Sequence, residues 1–191
     1  MSSPDRGSLT GKLLVATPAL VDPNFARSVV LVLDDDRSGT LGVVLNRPLD
    51  LAVDEVLPDW DGDVVEPESL FGGGPVAVDS ALAVGVLAGG DGAGTPLGWR
   101  PMFGRVGLVD LDAPTEVLSG ALSGLRIFAG YAGWTADQLH VEIEEGAWLV
   151  LEVHDSDILT AAPTQLWSAV LRRQPGELRL LSTYPPDPAL N

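Results

Sequence analysis

Two dense aliphatic runs, Ser28 to Leu33 (SVVLVL) and Thr40 to Leu45 (TLGVVL), are separated only by Asp34 to Gly39 (DDDRSG). β-Branched side chains at this density favour a pleated strand, and the segment between the runs is turn chemistry. The pair therefore reads as a β-hairpin. Asn46, Arg47 and Pro48 end its second strand, because proline has no N–H to give to a ladder.

Further strands are expected at Gly11 to Ala16, Ser69 to Phe71, Arg105 to Leu111, Leu125 to Ala129 and Ala147 to Val153. Ala81 to Ala88 (ALAVGVLA) fits a buried strand or a buried helix, and periodicity does not separate the two. Asp50 is placed to cap a short helix through Leu57, and Pro114 to Leu122 reads as another. A third starts at Thr135, where Thr135 and Gln138 have capping-box spacing. The last runs from Pro163 to Arg173, with Leu166, Trp167, Val170 and Leu171 inward and two arginines at its negative pole. Gly89 to Gly98 is a loop. Strands and helices neither alternate strictly nor segregate, so the expected fold is a single α+β domain, a mixed sheet with helices packed against it. Residues 1–10 read as a flexible tail, 11–183 as the domain, and 184–191 as a Pro-rich tail.

Composition narrows the function classes. Hydrophobic residues are 46% of the 191, enough for a sizeable core. No apolar run approaches the roughly 20 residues needed to cross a bilayer. Leu13 to Leu20 is broken by Thr17 and Pro18 and lacks the basic flank of a signal peptide. There is no cysteine, so disulfides, thiolate catalysis and Zn–thiolate or iron–sulfur sites are excluded. These features predict a cytoplasmic protein with no membrane association. The net charge of −16, from 27 acidic and 11 basic residues, repels phosphate backbones, so direct non-specific nucleic-acid binding is not expected.

No catalytic residues and no cofactor are readable from the motifs. Asp34 to Gly39 begins like a calcium loop, but the twelfth position is Leu45 where a bidentate Glu is required. His140 and His154 lack zinc-ligand spacing, so no metal site is assigned. Ser119 and Ser123 stand outside any G-x-S-x-G elbow. Gly72-Gly73-Gly74, after a strand, is either a tight turn or a backbone nest for an anion. If the hairpin is antiparallel, Arg27, Ser28, Asn46 and Arg47 gather at one end of it. That gathering is either an anion-recognition cluster or a set of loop-fixing hydrogen bonds. Tyr131 and Trp134 are expected at a strand-to-helix elbow between glycines, where an exposed aromatic would mark an interaction surface together with Gln138.

The motif order then adds a resemblance. Gly11 to Pro18 (GKLLVATP), Asp22 to Phe25 (DPNF), Arg27 to Val30 (RSVV), Gly42 to Pro48 (GVVLNRP), Phe71 to Val76 (FGGGPV), Gly130 to Trp134 (GYAGW) with Gln138-Leu139, Gly146 to Trp148 and Leu166-Trp167 resemble the AlgH/YqgE family from Gly11 to about Arg173. Asp137 and His140 depart from it, standing where the family usually has glycine and glutamate. The resemblance implies a small bacterial cytosolic protein with a bent, pseudo-barrel-like sheet. Its members are sometimes called transcriptional regulators and have no established enzymatic activity.

Two functional readings remain. One is a non-catalytic regulatory or interaction protein acting through a protein partner. The other is a small anionic-ligand or nucleotide-binding protein, or an undetected hydrolase, using Arg27, Asn46, Arg47 and Gly72 to Gly74.

Overall fold

The computed structural model describes residues 7–89 and 94–186. Residues 1–6, residues 90–93 of the expected glycine-rich loop and residues 187–191 of the Pro-rich segment lie outside the described residues. In chain order the strands are β1 (Lys12–Ala16), β2 (Val29–Asp36), β3 (Gly39–Val44), β4 (Pro48–Ala52), β5 (Ser69–Gly72), β6 (Val76–Leu87), β7 (Trp99–Phe103), β8 (Val106–Val109), β9 (Leu122–Trp134) and β10 (Trp148–Glu152). The helices are α1 (Val53–Val56), α2 (Thr115–Leu118), α3 (Gln138–Glu144), α4 (Asp155–Ile158), α5 (Leu166–Arg172) and α6 (Leu178–Leu181).

The sheet runs β10-β1-β2-β3-β9-β6-β8-β7. β9 is the strand on which it divides. One edge of β9 pairs with β6 along most of its length, while the other takes β3 at Ala132–Trp134 and β5, in parallel, at Phe128–Ala129. β4 pairs in turn with β5. The result is a single domain with a mixed, forked sheet that curls into a half barrel.

The curl explains why β1, β2 and β3 are apolar without alternation. Leu13, Val15, Val29, Leu31, Leu33 and Val43 face the main core, which Trp167, Val170 and Leu171 of α5 close. The residues between them, Leu14, Ala16, Val30, Val32 and Val44, face a second cluster with Trp134, Leu139 and Trp148. A strand covered on both faces has no need of polar positions. Trp60, Trp99, Leu118, Leu125 and Ile127 form a third cluster under the β6–β9 arm.

The hairpin and the inward face of α5 stand as expected. The run from Ala81 resolves as strand, inside β6 as far as Leu87. Three local expectations are corrected. Asp50 caps no helix: Pro48–Ala52 is extended and paired with β5, and only one helical turn follows, with Val53 buried and Val56 exposed. The helix expected at Pro114 to Leu122 is one turn, because Gly120 takes φ +81° and Leu122 opens β9. Gly130 to Trp134 forms no elbow but continues β9, since pairing with β3 holds Ala132–Trp134 extended. In each case a tertiary strand pairing outweighs a local signal. α4 and α6 have no counterpart among the expected elements.

Candidate functional site

The registers of β2, β3 and β9 build a groove. Asp34 pairs with Leu41, Leu41 with Gly133, and one step further along β9 Tyr131 pairs with Val76 of β6. Residues directly paired across strands share a face, so Asp34, Leu41 and Gly133 form one row. Leu41 and Tyr131 pack against the main core from its margin. At Gly133 the row has no side chain, and a trough of about 460 Å³ opens there, lined also by Asp36, Val76, Trp134 and Gln138. Tyr131, Trp134 and Gln138, the interaction surface expected from the sequence, thus line one concavity.

Their roles differ. Trp134 is only 5% exposed and belongs to the wall. Its ring stacks on Phe25, with centroids 5.6 Å apart and planes at 28°, and meets Trp148 edge-on at 5.8 Å. Its indole N–H donates to Glu142 Oε2 at 3.0 Å, and that of Trp148 donates to the same oxygen at 2.8 Å. Gln138 Nε2 donates to Glu142 Oε1 at 2.9 Å, which fixes the exposed glutamine at the rim. Tyr131 is half-buried. The capping box is half formed: the Thr135 N–H donates to Gln138 Oε1 at 3.4 Å, and the helix starts at Gln138.

The acidic rim is graded by what each carboxylate already holds. Asp35 accepts from the Leu9 N–H at 2.7 Å and from Thr40 Oγ1 at 2.6 Å, so it is spent on the hairpin. Asp36 accepts from the hydroxyl and, at 2.7 Å, the N–H of Ser38, and these bonds hold its carboxyl below the usual range. The side chain of Asp34 makes no hydrogen bond or ion pair among the described residues. The Asp34 to Gly39 turn is a hairpin, and no group of three or more metal-ligating side chains occurs among the described residues.

The anion-cluster candidates do gather at the other end of the hairpin, and the structure shows what occupies them. Asn46 Oδ1 accepts from the Val29 N–H and its Nδ2 donates to the Arg27 carbonyl, both at 2.9 Å, so the amide mimics a peptide unit beside β2. Arg47 Nη2 donates to the Ala26 carbonyl at 3.2 Å. Arg27 has φ +56°, donates through Nη1 to the Tyr184 carbonyl at 2.9 Å and lies 3.9 Å from the Trp167 ring centre. Burial lowers the pKa of both guanidiniums, and the charge of Asp22 partly offsets this at Arg47. Ser28 is fully buried and its hydroxyl has no partner among the described residues.

The glycine bend is built for close approach. The Gly72 N–H donates to the Arg47 carbonyl at 2.8 Å and the Gly73 N–H to the Ala129 carbonyl at 2.9 Å. A Cβ on Gly73 would stand 2.2 Å from the Gly130 carbonyl oxygen, and one on Gly74 2.2 Å from the backbone of Tyr131. These glycines let the β5–β6 connection cross β9.

Sequence reasoning missed two residues. Glu142 sits four residues after Gln138, a spacing that places both on one helical face, and that was the readable signal. Arg126, on β9, is fully buried. Its Nη2 donates to the carbonyls of Glu66 at 3.1 Å and Thr160 at 3.0 Å, and it lies 4.2 Å from the Phe71 ring centre. Its Nε and Nη1 have no hydrogen-bond partner among the described residues, and desolvation lowers its pKa to about 10. Its one local mark is that it is the single charge in the apolar strand run Leu125 to Ala129.

A family model described as AlgH-like matches residues 13–179. The chain belongs to the AlgH-like family. A UPF0301 protein of Streptomyces coelicolor is 57% identical over 185 residues, 96% of each chain. One of Mycobacterium tuberculosis is 49% identical over 182 residues, covering 95% of this chain and 90% of the relative. Among solved structures, a Corynebacterium diphtheriae protein superposes with TM-score 0.87 at 37% identity, over 96% of this chain and 95% of that one. The solution structure of the AlgH protein from Pseudomonas aeruginosa gives TM-score 0.68 at 28% identity, over 97% of each. The forked, curled sheet is thus an AlgH-like architecture, and no helix among the described residues is long and apolar enough to cross a membrane.

Proposed function

We propose that this AlgH-like protein is a non-catalytic regulatory or interaction module of the cytoplasm that acts by engaging a protein partner at the Asp34–Gly133–Tyr131 groove. The observation that carries the reading is convergence. Tyr131, Trp134 and Gln138 line one open trough beside Asp34, whose carboxylate has no partner among the described residues. By contrast, Arg27 and Arg47 each give one guanidinium nitrogen to a carbonyl of the protein itself, and both ends of the Asn46 amide are bonded to its backbone. An open concavity with an aromatic wall and a polar rim suits a protein surface. A net charge of −16 opposes direct contact with nucleic acid, so a role in transcription runs through the partner.

The test is a photo-crosslinking amino acid placed at position 138 in the full chain, with position 59, on a different surface, as control. A discrete protein adduct from 138, absent from 59 and lost with Tyr131→Ala, is the expected result. Identical adducts from both positions, or tight and steeply salt-dependent DNA binding in a gel shift, overturn it.

A further inference from the structure

We infer that the groove is shaped for a basic side chain presented by an extended segment of the partner, and that Gly133 is the residue that keeps the seat open. This rests on the reading of the groove as a protein-binding surface and adds the chemistry of what enters it.

The backbone does not need a glycine at 133. A Cβ on Gly73 or Gly74 meets backbone at 2.2 Å, on Gly39 at 2.3 Å and on Gly42 at 2.7 Å, so those four are required by packing. A Cβ on Gly133 would meet only Tyr131 Cε2 at 3.6 Å and the Thr40 carbonyl oxygen at 4.0 Å, which is ordinary contact. Its φ is not among the positive ones. A β-branched residue would suit this central strand position better than glycine does. The missing side chain therefore serves the space above it, between Leu41 on one strand and Tyr131 two residues earlier on β9.

The lining of that space selects what can fill it. Its floor is Leu41 and the flank of Tyr131, and its rim is Asp34, whose carboxylate lacks a partner among the described residues, with Asp36 next to it. An apolar slot ending in a carboxylate matches a side chain with a methylene stem and a cationic head. Lysine and arginine are the side chains of that form. Tyr131 adds an aromatic surface to which such a head is attracted. The overall charge steers a basic segment toward this protein but does not choose the groove. The steric feature at 133 makes that choice.

The distinction dictates the experiment. Amide chemical shifts of the full chain are followed while N-acetyl-Ala-Lys-Ala-Arg-Ala amide is added, with spermidine and the matching Glu peptide as parallel probes. Saturable shifts confined to residues around Asp34, Leu41, Tyr131 and Gly133 are expected for the basic peptide alone. Gly133→Val, which changes no charge, is expected to weaken the affinity by about tenfold or more. Asp34→Asn is expected to weaken it as well. The spectrum of each variant away from the groove reports whether it is folded, and Gly133→Ala provides a milder filling. Shifts scattered over the acidic surface and unaffected by Gly133→Val overturn the inference, as does spermidine binding the groove as tightly as the peptide. If the position-138 adduct forms but basic peptide does not compete with it, the chemistry assigned here fails while the partner reading stands.

Discussion

Arg173 grips Asp157 with both guanidinium nitrogens, Nη1 to Oδ1 and Nη2 to Oδ2, each at 2.6 Å. The carboxylate is almost fully buried, and its Oδ2 also accepts from the His154 N–H at 2.8 Å. The fork ties the end of α5 to the start of α4 and so holds the lid of helices over the main core. Arg173→Ala leaves the carboxylate buried and short of its donors and should cost roughly 2 to 3 kcal/mol. Arg173→Lys keeps the charge but loses the two-point geometry, so it should fall between the alanine variant and the native chain. Urea unfolding midpoints at constant slope decide the order.

Glu142 holds two indoles at once. Removing it in Glu142→Ala strands two partly buried N–H donors and frees Gln138, at a cost of roughly 2 to 4 kcal/mol. Glu142→Gln retains one acceptor oxygen and should cost about 1 kcal/mol. Near-ultraviolet circular dichroism, which reports the asymmetry around Trp134 and Trp148, should weaken in the first variant and stay close to native in the second.

Two glycines on facing segments are expected to answer alanine in opposite ways. Gly73→Ala drives a methyl into the Gly130 carbonyl and should cost about 3 kcal/mol or prevent folding. Gly133→Ala meets no atom closer than 3.6 Å and should leave the thermal midpoint unchanged or raise it slightly. Calorimetry of the pair separates a glycine kept for backbone crossing from one kept for open space.

The hairpin turn carries a pH signature. Hydrogen bonds from Ser38 lower the Asp36 pKa below its ordinary 3.8. For a depressed carboxyl the folded state favours the ionised form, so the turn's stabilisation is present above 3.8 and is lost as pH falls through the lower, folded-state value. The Ser38 amide resonance should therefore titrate with a midpoint below 3.8. Ser38→Ala should move that midpoint upward toward the ordinary value.

Sequence patterns revealed the parts governed by short-range chemistry. The hairpin was readable because β-branched runs and DDDRSG report their own conformation, and α5 because four apolar residues share one helical face. Glycines at a strand end imitate a turn at Gly130 to Trp134, and the pairings that hold the segment extended, with Thr40–Gly42 and with Val76, are made across 55 to 94 residues of sequence. At the site, aromatic residues between glycines pointed to Tyr131 and Trp134, but nothing local brings the 34–41 segment to them. Gly133 was hidden for another reason: a glycine required by packing and one required for space look identical in a sequence. At Arg126 a lone charge in an apolar strand is legible but its burial is not, because its partners, the carbonyls of Glu66 and Thr160, lie 60 and 34 residues away.

The pairing of Lys12 with Glu152 has a consequence for synthesis on the ribosome. β1 to β3 are apolar on both faces, and the segments that cover them, α3, β10 and α5, follow them by about a hundred residues or more. At about 5 to 20 residues per second, a hundred residues of translation leave that surface uncovered for roughly 5 to 20 s. Apolar surface exposed on that timescale is what chaperones bind and what aggregates. The three consecutive carboxylates at the hairpin tip, Asp34 to Asp36, place charge beside that apolar surface while it waits for its cover.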